Sequence, residues 1–548
     1  MFTAEKREET WQEMEGPWDL LVVGGGITGA AVLREAGRAG LRGLLVEARD
    51  FAWGASSRSS KLVHGGLRYL AQGDLKLTYE AVRERERLLN EAPGLVERLN
   101  FLAPHYRKSH PGRAMMGIGL SLYDLMAGAW NHRYFGAGFF RTLAPNLRPS
   151  ELLGGYWFKD AETDDARMVL RLVLEAVAEG QRALNYARCV GLIKEGGEVR
   201  GALVRDGLTG RTARASARVV VNATGAEADG LRREVGAMKR LRPLRGSHLL
   251  FPAWRLPLAQ SVSFMHPRDR RPIFVFPWEG VTLVGTTDED HGDGMDRDPA
   301  ISAGEAVYLL EGLRGQFPSL DLSSSDVLAT FSGVRPVIGS GKAKPSQERR
   351  DAAVWDEQGL LTATGGKLTT FRLMALDVLK AVQRRLPGFR GANRSLPAFQ
   401  TPVPHWPMSA ASLPPAELLR LAGRYGTALP GILAAAGPLE LEHVACAPTL
   451  WVELRWAARA EAVVHLEDLM LRRTRLGLVL PRGGAEHLPR IGAICRAELG
   501  WGQARWEEEE ERYLRLWETC YSLPVGLAGK EGGTGRRDRT GETLPAAG

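Results

Sequence analysis

The chain has 548 residues, a formal net charge of +8, and 44% hydrophobic and 25% charged residues. This composition indicates a folded globular protein of two to four domains, since a domain usually takes about 100–200 residues. Its basic residues form no dense runs with interleaved aromatic residues, so we expect no nucleic-acid partner. The charged residues 1–15 lack the apolar core of a secretory signal. No uncharged apolar run of about 18 residues occurs, so we expect no membrane-spanning helix and take the cytoplasm as the default location.

The first pattern along the chain is a strand–turn–helix–strand unit. An apolar strand is predicted over residues 19–23 and a helix over residues 30–39, followed by a second strand over residues 43–46. A glycine-rich turn joins the first strand to the helix. This order is typical of the start of a doubly wound dinucleotide-binding domain.

The turn and the end of the second strand carry the chemistry of this unit. Gly24, Gly26 and Gly29 fit the G-x-G-x-x-G pattern, in which glycines allow a tight turn, close approach to a pyrophosphate and packing of helix on strand. Glu47 stands where a carboxylate accepts hydrogen bonds from ribose hydroxyls and disfavours a 2′-phosphate. The pattern predicts FAD or NAD, which it does not distinguish, and it disfavours NADP.

A polar loop follows directly on the second strand. Residues 56–69 combine serines, cations and two adjacent glycines. Such a composition is most often a surface loop, but its place after the ribose-binding strand also allows it to wrap around an extended cofactor. The candidate cofactor ligands in this loop are Ser56, Ser57, Ser60, Lys61, His64 and Gly65.

The middle of the chain is predicted to form an antiparallel sheet. Runs of β-rich sequence separated by turn residues indicate hairpins, and hairpins after a βαβ opening indicate a second domain. Two strands, at residues 219–221 and 360–362, look like late strands of the first domain, which makes that domain discontinuous. The β-rich runs of the second domain cover residues 247–251, 261–265, 273–276 and 281–284.

The last third of the chain is predicted to be helical. Residues 391–415 form a Pro-rich linker, and residues 416–522 form a helical domain. The tail over residues 529–548 is rich in Gly, Arg, Thr and Glu, which predicts disorder. One helix face is predicted from apolar residues at helical spacing. These residues are Trp456, Ala460, Val463, Leu466 and Met470.

Longer motifs along the chain resemble the FAD-dependent glycerol-3-phosphate dehydrogenases in order and spacing. The likeness covers roughly residues 17–520, and two departures stand out. Ala226-Glu227 occupies a place where similar proteins usually carry Pro-Trp, and Phe371 a place where Tyr is frequent. The motifs cover residues 24–29, 56–69, 163–167, 222–225, 245–248, 285–288, 332–336, 365–370 and 472–477.

The resemblance implies an α/β FAD-binding (Rossmann-type) domain with an antiparallel-sheet substrate cap and a C-terminal all-helical domain. It implies FAD as cofactor and oxidation of glycerol 3-phosphate to dihydroxyacetone phosphate, with electrons passed to a membrane quinone. The oligomeric state stays open, a homodimer included. The expected FAD-binding domain comprises residues 17–110, 151–240 and 330–390, and the expected cap comprises residues 111–150 and 241–329.

The resemblance also implies an anion site for the substrate's phosphate. Arg335 precedes a proline in a rigid turn that can aim a bidentate guanidinium at a phosphate, although most arginines are simply surface residues. Arg68 and Tyr69 would complete the anion site. Thr287 and Asp288 end a strand and would orient polar groups of the substrate or of the flavin.

Two further residues are implied in the chemistry. Lys367 follows two glycines and can polarise the developing carbonyl oxygen or bind the substrate's oxygens, with a solvent-exposed lysine at a helix start as the alternative. His248 is the candidate general base, with a purely structural histidine as the alternative. No metal site is predicted, and residues 164–167 read as a structural ion-pair cluster that opens a helix. The remaining cofactor residues implied are Gly225, Gly366, Lys367, Leu368 and Thr369.

The most apolar long stretch covers residues 113–130 and contains Asp124. Two interpretations of this stretch remain open: it forms an interfacial helix that inserts partly into lipid, or a helix packed on the cap. The basic neighbours suit acidic headgroups, which predicts peripheral contact with acidic lipid on the cytoplasmic side of the cell membrane. These neighbours are Arg107, Lys108, Arg113 and Arg133.

Two other functions compete with a quinone-linked dehydrogenase. An oxidase on the same fold would give its electrons to oxygen and make peroxide. A non-catalytic flavoprotein scaffold would keep FAD for stability alone, but the cations at positions 68, 335 and 367 argue against it.

Overall fold

The computed structural model describes residues 2–71, 73–339, 341, 352–400 and 413–527. Two sheets and a C-terminal group of helices make up the fold. The strands are β1 (Trp18–Val23), β2 (Gly43–Val46), β3 (Val96–Tyr106), β4 (His132–Gly136), β5 (Leu152–Thr163), β6 (Arg182–Leu184), β7 (Ala187–Glu195), β8 (Glu198–Asp206), β9 (Thr212–Asn222), β10 (Leu241–Pro252), β11 (Ser261–Met265), β12 (Pro272–Trp278), β13 (Val281–Gly285), β14 (Glu289–Asp290), β15 (Ala329–Ile338), β16 (Ala352–Glu357) and β17 (Leu360–Gly365). The helices are α1 (Ala4–Gln12), α2 (Ile27–Arg38), α3 (Leu67–Ala71), α4 (Leu75–Glu91), α5 (Arg113–Ala127), α6 (Ala137–Leu143), α7 (Asp165–Ala178), α8 (Ala228–Glu234), α9 (Ala303–Gln316), α10 (Phe371–Arg385), α11 (Pro415–Tyr425), α12 (Leu429–Ala435), α13 (Trp451–Ala460), α14 (Leu466–Asp468), α15 (Leu476–Val479), α16 (Leu488–Leu499) and α17 (Gln503–Cys520).

The first sheet has a parallel core. Its strands lie in the order β16-β17-β9-β1-β2-β6, and β7 and β8 extend it beyond β9. Strand β1 lies between β2 and β9 and is parallel to both, with Leu20 opposite Gly43 on one side and Val219 on the other. Helices α2, α7 and α10 bury apolar side chains against this sheet, among them Val32 and Val378. Four predicted strands thus meet in one Rossmann-type sheet.

The second sheet is the cap. Its strands lie in the order β14-β10-β13-β12-β11-β3-β5-β4, and β15 pairs with β10. The hairpin of β12 and β13 turns at Glu279 and Gly280, whose φ angles of 48° and 83° fit a two-residue type I′ turn. Helix α9 covers one face, with Leu309 and Leu313 in the apolar core. The four predicted β-rich runs lie in β10–β13.

Three strands correct the predicted domain boundaries. The sequence assigns residues 96–106, 152–163 and 330–338 to the FAD-binding domain, but the structure places them in the cap sheet. Strands β3 and β5 pair with each other from Val96 opposite Thr163 onward, and β15 pairs along β10. Partners this far apart in sequence are set by register and by the buried face, which a local pattern does not encode.

Of the C-terminal helices, α13–α17 pack on the cap, and α11 and α12 pack against α13. Trp451 and Leu454 of α13 share an apolar core with Phe276 and Trp278 of the cap sheet. Of the predicted linker, residues 391–400 and 413–415 are described, and Arg372 donates hydrogen bonds to carbonyl oxygens in its first part. Residues 401–412 and the predicted disordered tail, 529–548, lie outside the described residues.

The predicted continuous helix over residues 456–470 is wrong. Helix α13 ends at Ala460, and helical structure resumes only at Leu466. The buried carboxylate of Glu461 pairs with Arg167 of α7 at 2.7 Å, which draws the chain toward the first sheet. Asp468 then accepts the N–H groups of residues 464 and 465 at 2.9 Å each and starts a new helix.

Within the described residues, no helix is long and apolar enough to cross a bilayer. Helix α5 covers most of the apolar stretch singled out in the sequence. Its Asp124 is buried, where it accepts the N–H of Asn131 at 2.7 Å and lies 2.7 Å from Nδ1 of His132.

Candidate active site

A cavity of about 500 Å³ opens where the first sheet meets the cap. The carboxyl ends of β1, β2 and β9 form one part of its wall, and β15 with the turn after β17 forms another. Doubly wound sheets bind their ligands at this edge. The predicted site residues that line the cavity are Gly24, Gly26, Glu47, Ser56, Ser60, His64, Tyr69, Gly225, Arg335, Gly366, Lys367, Leu368 and Thr369.

The turn between β1 and α2 leaves room for a phosphate. Gly24 has a φ of 114°, and a Cβ there would lie 2.5 Å from the carbonyl oxygen of Ala223. A Cβ at Gly29 would overlap the carbonyl oxygen of Gly24, so Gly29 serves the packing of α2 on β1 and lies outside the cavity lining. At Gly26 a Cβ would extend into the cavity, 3.1 Å from Oγ of Ser56. The helix N-terminus therefore faces the space where a pyrophosphate fits.

Two side chains complete this cradle. Oγ of Ser56 accepts the N–H of Ile27 at 2.9 Å, at the first turn of α2. The carboxylate oxygens of Glu47 accept the N–H groups of Gly25 at 2.6 Å and Arg49 at 2.8 Å. Burial raises the pKa of Glu47, and these two donors oppose that rise. Each oxygen keeps acceptor capacity for a ribose hydroxyl, so the cradle fits a dinucleotide such as FAD.

Three residues of the predicted cofactor loop, Ser57, Lys61 and Gly65, do not line the cavity, which corrects their assignment to the cofactor. Lys61 has a φ of 59°, and its buried Nζ donates to the carbonyl oxygen of Ser57 at 2.7 Å and to both oxygens of Asp165 at 2.9 Å. Desolvation lowers the pKa of Lys61 to about 8. The N–H of Gly65 donates to the hydroxyl of Tyr123 at 2.8 Å. Ser57, Lys61 and Gly65 thus hold the loop in place.

Arg335 enters the cavity from β15, so it lies within a strand and not in the predicted turn. Its Nη1 donates to Asp288 at 2.9 Å, and its Nη2 donates to Oγ1 of Thr286 at 2.9 Å. The same carboxylate lies 3.7 Å from Nη2 of Arg271. Two guanidinium groups therefore contact one carboxylate, and the guanidinium of Arg335 lines the cavity, where it suits an anion such as phosphate.

Lys367 and Tyr69 meet in the cavity although the sequence separates them widely. Nζ of Lys367 lies 3.3 Å from the centre of the Tyr69 ring, a cation–π contact. Lys367 follows Gly365 and Gly366, whose φ angles of 75° and 73° suit glycine. In the next turn Oγ1 of Thr369 donates to the carbonyl oxygen of His64 at 3.2 Å.

His248 lies directly behind the cavity lining. The ring is buried and stacks on Phe331 with 4.5 Å between ring centres. Its Nε2 lies 2.9 Å from Oγ of Ser60, which lines the cavity. Desolvation, helped by the charges of Arg335 and Lys61, lowers the pKa of His248 well below 6.5. A neutral imidazole is thus one hydrogen bond away from the cavity.

Thr287 does not line the cavity, which corrects its assignment to the substrate. Its buried hydroxyl donates to Glu305 at 2.6 Å and accepts the N–H of Ser247 at 2.8 Å. Both contacts lie inside the cap. The side chain of Arg68 lies outside the described part of the structure.

The predicted structural ion pairs form an Arg–Asp cluster between the first sheet and the C-terminal helices. Asp164 accepts the N–H of Arg167 at 3.2 Å and so caps α7. The same residue accepts Nε of Arg475 at 2.9 Å. The cluster comprises Arg472, Arg473 and Arg475 with Asp50, Asp164 and Asp165.

Sequence reasoning missed two cavity residues and one contact. Asp288 was predicted to orient polar groups of the substrate or the flavin, but its pairing with Arg335 was not predicted. Arg188 and Glu227 line the cavity beside Glu47 but belong to no dinucleotide pattern. Among the described residues, no group of three or more His, Cys, Asp or Glu side chains is arranged to hold a metal ion.

Comparisons with known proteins agree with this architecture. Residues 19–372 match the family model described as FAD dependent oxidoreductase, and residues 384–506 match the model described as C-terminal domain of alpha-glycerophosphate oxidase. The chain is 33% identical over 532 residues to a Mycobacterium tuberculosis protein named glycerol-3-phosphate dehydrogenase 2, covering 93% of this chain and 90% of the relative. It is 35% identical over 392 residues to the aerobic glycerol-3-phosphate dehydrogenase of Bacillus subtilis, 70% of each chain.

A solved structure extends the likeness to three dimensions. The glycerol-3-phosphate dehydrogenase of Bacillus halodurans, complexed with FAD, superposes with a TM-score of 0.76 at 28% identity and covers 94% of this chain and 98% of that one. The predicted fold class and the predicted FAD cofactor are confirmed.

Proposed function

The chain belongs to the family of FAD-dependent glycerol-3-phosphate dehydrogenases, and from this premise we propose that it oxidises glycerol 3-phosphate to dihydroxyacetone phosphate. One observation carries the proposal: a single cavity is lined by a dinucleotide cradle and by cations. Gly26 and Glu47 belong to the cradle, and Arg335 and Lys367 supply the cations. A substrate that carries both a phosphate and an oxidisable carbinol matches this combination.

The binding of the substrate follows from the cations. When bound, FAD supplies the acceptor for the hydride that leaves the carbinol carbon. Arg335 donates its N–H groups to the phosphate in competition with Asp288, which it contacts at 2.9 Å. Lys367 places its ammonium group beside the carbinol oxygen and stabilises that oxygen as it becomes a carbonyl.

The hydroxyl proton passes to His248 through Ser60. His248 is neutral near pH 7, because its pKa lies well below 6.5. With Nε2 unprotonated, Oγ of Ser60 donates to it across 2.9 Å and accepts the substrate's proton from the cavity side. The relay lets a histidine outside the cavity lining act as the base.

Anaerobic mixing of the purified holoprotein with glycerol 3-phosphate tests the proposal. We expect the long-wavelength absorbance of the flavin to bleach with glycerol 3-phosphate, and to stay with glycerol, which lacks the phosphate, and with glycerol 1-phosphate. Bound flavin that none of these compounds reduces would refute the proposed substrate and favour a non-catalytic flavoprotein. Reduction by glycerol at the same rate would refute the role of the phosphate.

We also propose that the protein binds the cytoplasmic face of a membrane and passes its electrons to a quinone there. Exposed apolar side chains on and near α5 support this location: Met115, Ile118, Leu125 and Trp130 are 70%, 72%, 76% and 72% exposed. Arg113 and its basic neighbours flank this surface, and apolar side chains with flanking cations are typical of interfacial helices.

Co-sedimentation with lipid vesicles tests the membrane contact. We expect binding to vesicles that contain phosphatidylserine, weaker binding to neutral vesicles, and loss of binding in Leu125→Asp. Met238 is 82% exposed on a loop of the first domain and gives the matched control, Met238→Asp. Equal binding of both variants would refute the role of α5.

Oxygen is the second candidate acceptor. The match of residues 384–506 to a domain of alpha-glycerophosphate oxidase favours it. Peroxide yield decides between the two: one peroxide per substrate oxidised indicates an oxidase. Little peroxide, together with rapid reduction of a soluble quinone analogue, indicates a quinone-linked dehydrogenase.

A further inference from the structure

Two charged side chains line the cavity beside Glu47 and belong to no part of the dinucleotide pattern. Arg188 follows Ala187 on β7, and the N–H of Ala187 donates to the carbonyl oxygen of Glu47 at 2.7 Å. Glu227 ends the turn after β9, directly before α8. Neither side chain makes a hydrogen bond or an ion pair with any residue that the structure describes. Both groups therefore present unused hydrogen-bonding capacity to the cavity.

The wall that carries these two side chains is fixed. The carboxylate of Glu234, at the end of α8, accepts the N–H of Leu192 of β7 at 2.8 Å, and Nζ of Lys194 donates to the carbonyl oxygen of Glu234 at 2.7 Å. Helix α8 is thus tied to β7, which holds Glu227 and Arg188 near each other. Desolvation raises the pKa of Glu227, and the charge of Arg188 opposes that rise.

The cavity wall beside Glu47 needs one hydrogen-bond acceptor more than Glu47 supplies to match the adenosine of FAD. The adenosine of FAD offers two ribose hydroxyls and one adenine amino group as donors. The two oxygens of Glu47 each accept one backbone N–H already, so their remaining capacity matches the two hydroxyls. The amino group needs another acceptor next to Glu47, and Glu227 is the carboxylate that lines the cavity there.

We propose that Glu227 accepts a hydrogen bond from the adenine amino group of FAD, and that Arg188 packs its guanidinium plane against the purine ring. Carboxylates accept from amino groups of bases, and guanidinium planes stack on bases. The assignment concerns the cofactor and is independent of the substrate.

Binding of ADP and IDP to the full-length protein after removal of its flavin tests the proposal. IDP replaces the adenine amino group by a carbonyl, so a carboxylate acceptor disfavours it. We expect the protein to bind ADP about tenfold more tightly than IDP, the range for a lost hydrogen bond to a charged group. Glu227→Ala should abolish this preference and raise the dissociation constant for FAD about tenfold. The dissociation constant for FMN, which lacks the adenine, should stay within twofold of the parent's.

Further variants separate recognition from folding. Arg188→Met should weaken ADP and IDP equally, because stacking does not distinguish the two bases. Glu195 is exposed on the same strand as Arg188 and outside the cavity lining, so Glu195→Ala should match the parent with every nucleotide. Recovery of the flavin spectrum on adding FAD shows that each stripped protein remains folded. An unchanged ADP-to-IDP ratio in Glu227→Ala, or an equal loss of FMN binding, would overturn the proposal.

Discussion

Two of the places where arginines meet carboxylates in this protein differ in how deeply the charges are buried. In the Arg–Asp cluster the side chains of Arg472, Arg473 and Arg475 are 2%, 0% and 1% exposed, and every guanidinium has an aspartate of the first domain as partner. At the cavity, the side chain of Arg335 is 19% exposed, and the carboxylate of Asp288 that it contacts also lies 3.7 Å from Arg271.

The difference separates charges that hold the fold from charges that hold a ligand. Removing an ion from water costs several kcal/mol, and a buried pair offsets this cost only when hydrogen bonds satisfy both partners. Asp50 meets this condition, because its two oxygens accept from both Arg472 and Arg473. Arg335 lines the cavity and stays partly exposed there, so its guanidinium can also donate to the phosphate of a ligand.

The largest expected effect comes from breaking the Arg–Asp cluster with Asp50→Asn. The substitution keeps the size of the side chain but leaves Arg472 and Arg473 buried without their shared counter-ion. We expect the free energy of unfolding to fall by about 3–5 kcal/mol, measured by chemical denaturation. The control is Asp377→Asn, since Asp377 forms an exposed pair with Lys380 and should change stability by less than about 1 kcal/mol. Similar losses in both variants would erase the distinction between the two regions.

The opposite result is expected in the cavity. Arg335→Met removes the guanidinium that meets the phosphate. It should lower kcat/KM for glycerol 3-phosphate by an amount that corresponds to about 2–5 kcal/mol. The dissociation constant for FAD and the free energy of unfolding should change little. Arg205 is exposed on β8, and Arg205→Met gives the matched control. Full activity in Arg335→Met would show that the phosphate binds to other residues.

The stability of the Arg–Asp cluster should also depend on pH. Burial alone raises the pKa of Asp50, but Arg473 and Arg472 outweigh it and lower that pKa from 3.8 to about 2. Because the pKa of Asp50 is lower in the folded than in the unfolded protein, its ionised carboxylate contributes fully to the free energy of unfolding above about pH 4. This contribution, which corresponds to about 2 kcal/mol, is lost as the pH falls through 2. The stability gap between the parent and Asp50→Asn should therefore narrow by that amount between pH 5 and pH 2. A constant gap would show that Asp50 titrates normally.

Local patterns predicted the parts of the site that one segment builds by itself. Gly24 and Gly26 are required where a strand turns into a helix over a phosphate, and Glu47 ends the next strand, so all three were readable from spacing. The direction of Lys61 was not readable, because its positive φ turns the side chain into the fold. The direction of Thr287 was not readable either, because its hydroxyl donates to Glu305, a residue of another element of the cap.

Contacts between distant segments were beyond the sequence for a different reason. Ser60 and His248 are 188 positions apart, and their hydrogen bond depends on how the cap sheet sits on the first sheet. Asp288 meets Arg335 because β15 and β14, which directly follows Asp288, both pair with β10 at Leu244. Such register is fixed by the whole buried face of a sheet, which no single motif contains.

The smallest expected effect sharpens the role of the cavity's polar wall. Ser60→Ala removes the hydroxyl that joins the cavity to Nε2 of His248, and we expect flavin reduction to slow about tenfold, the range for one hydrogen bond. If Ser60 acts through His248, the same substitution should cost nothing further in a His248→Asn background, so the double-mutant cycle shows coupling about equal to the whole single effect. A purely structural serine would instead give additive losses and a lower free energy of unfolding.

Because His248 is neutral down to well below pH 6.5, the parent's reduction rate should be flat from pH 6.5 to 8 and fall only where the imidazole takes up a proton.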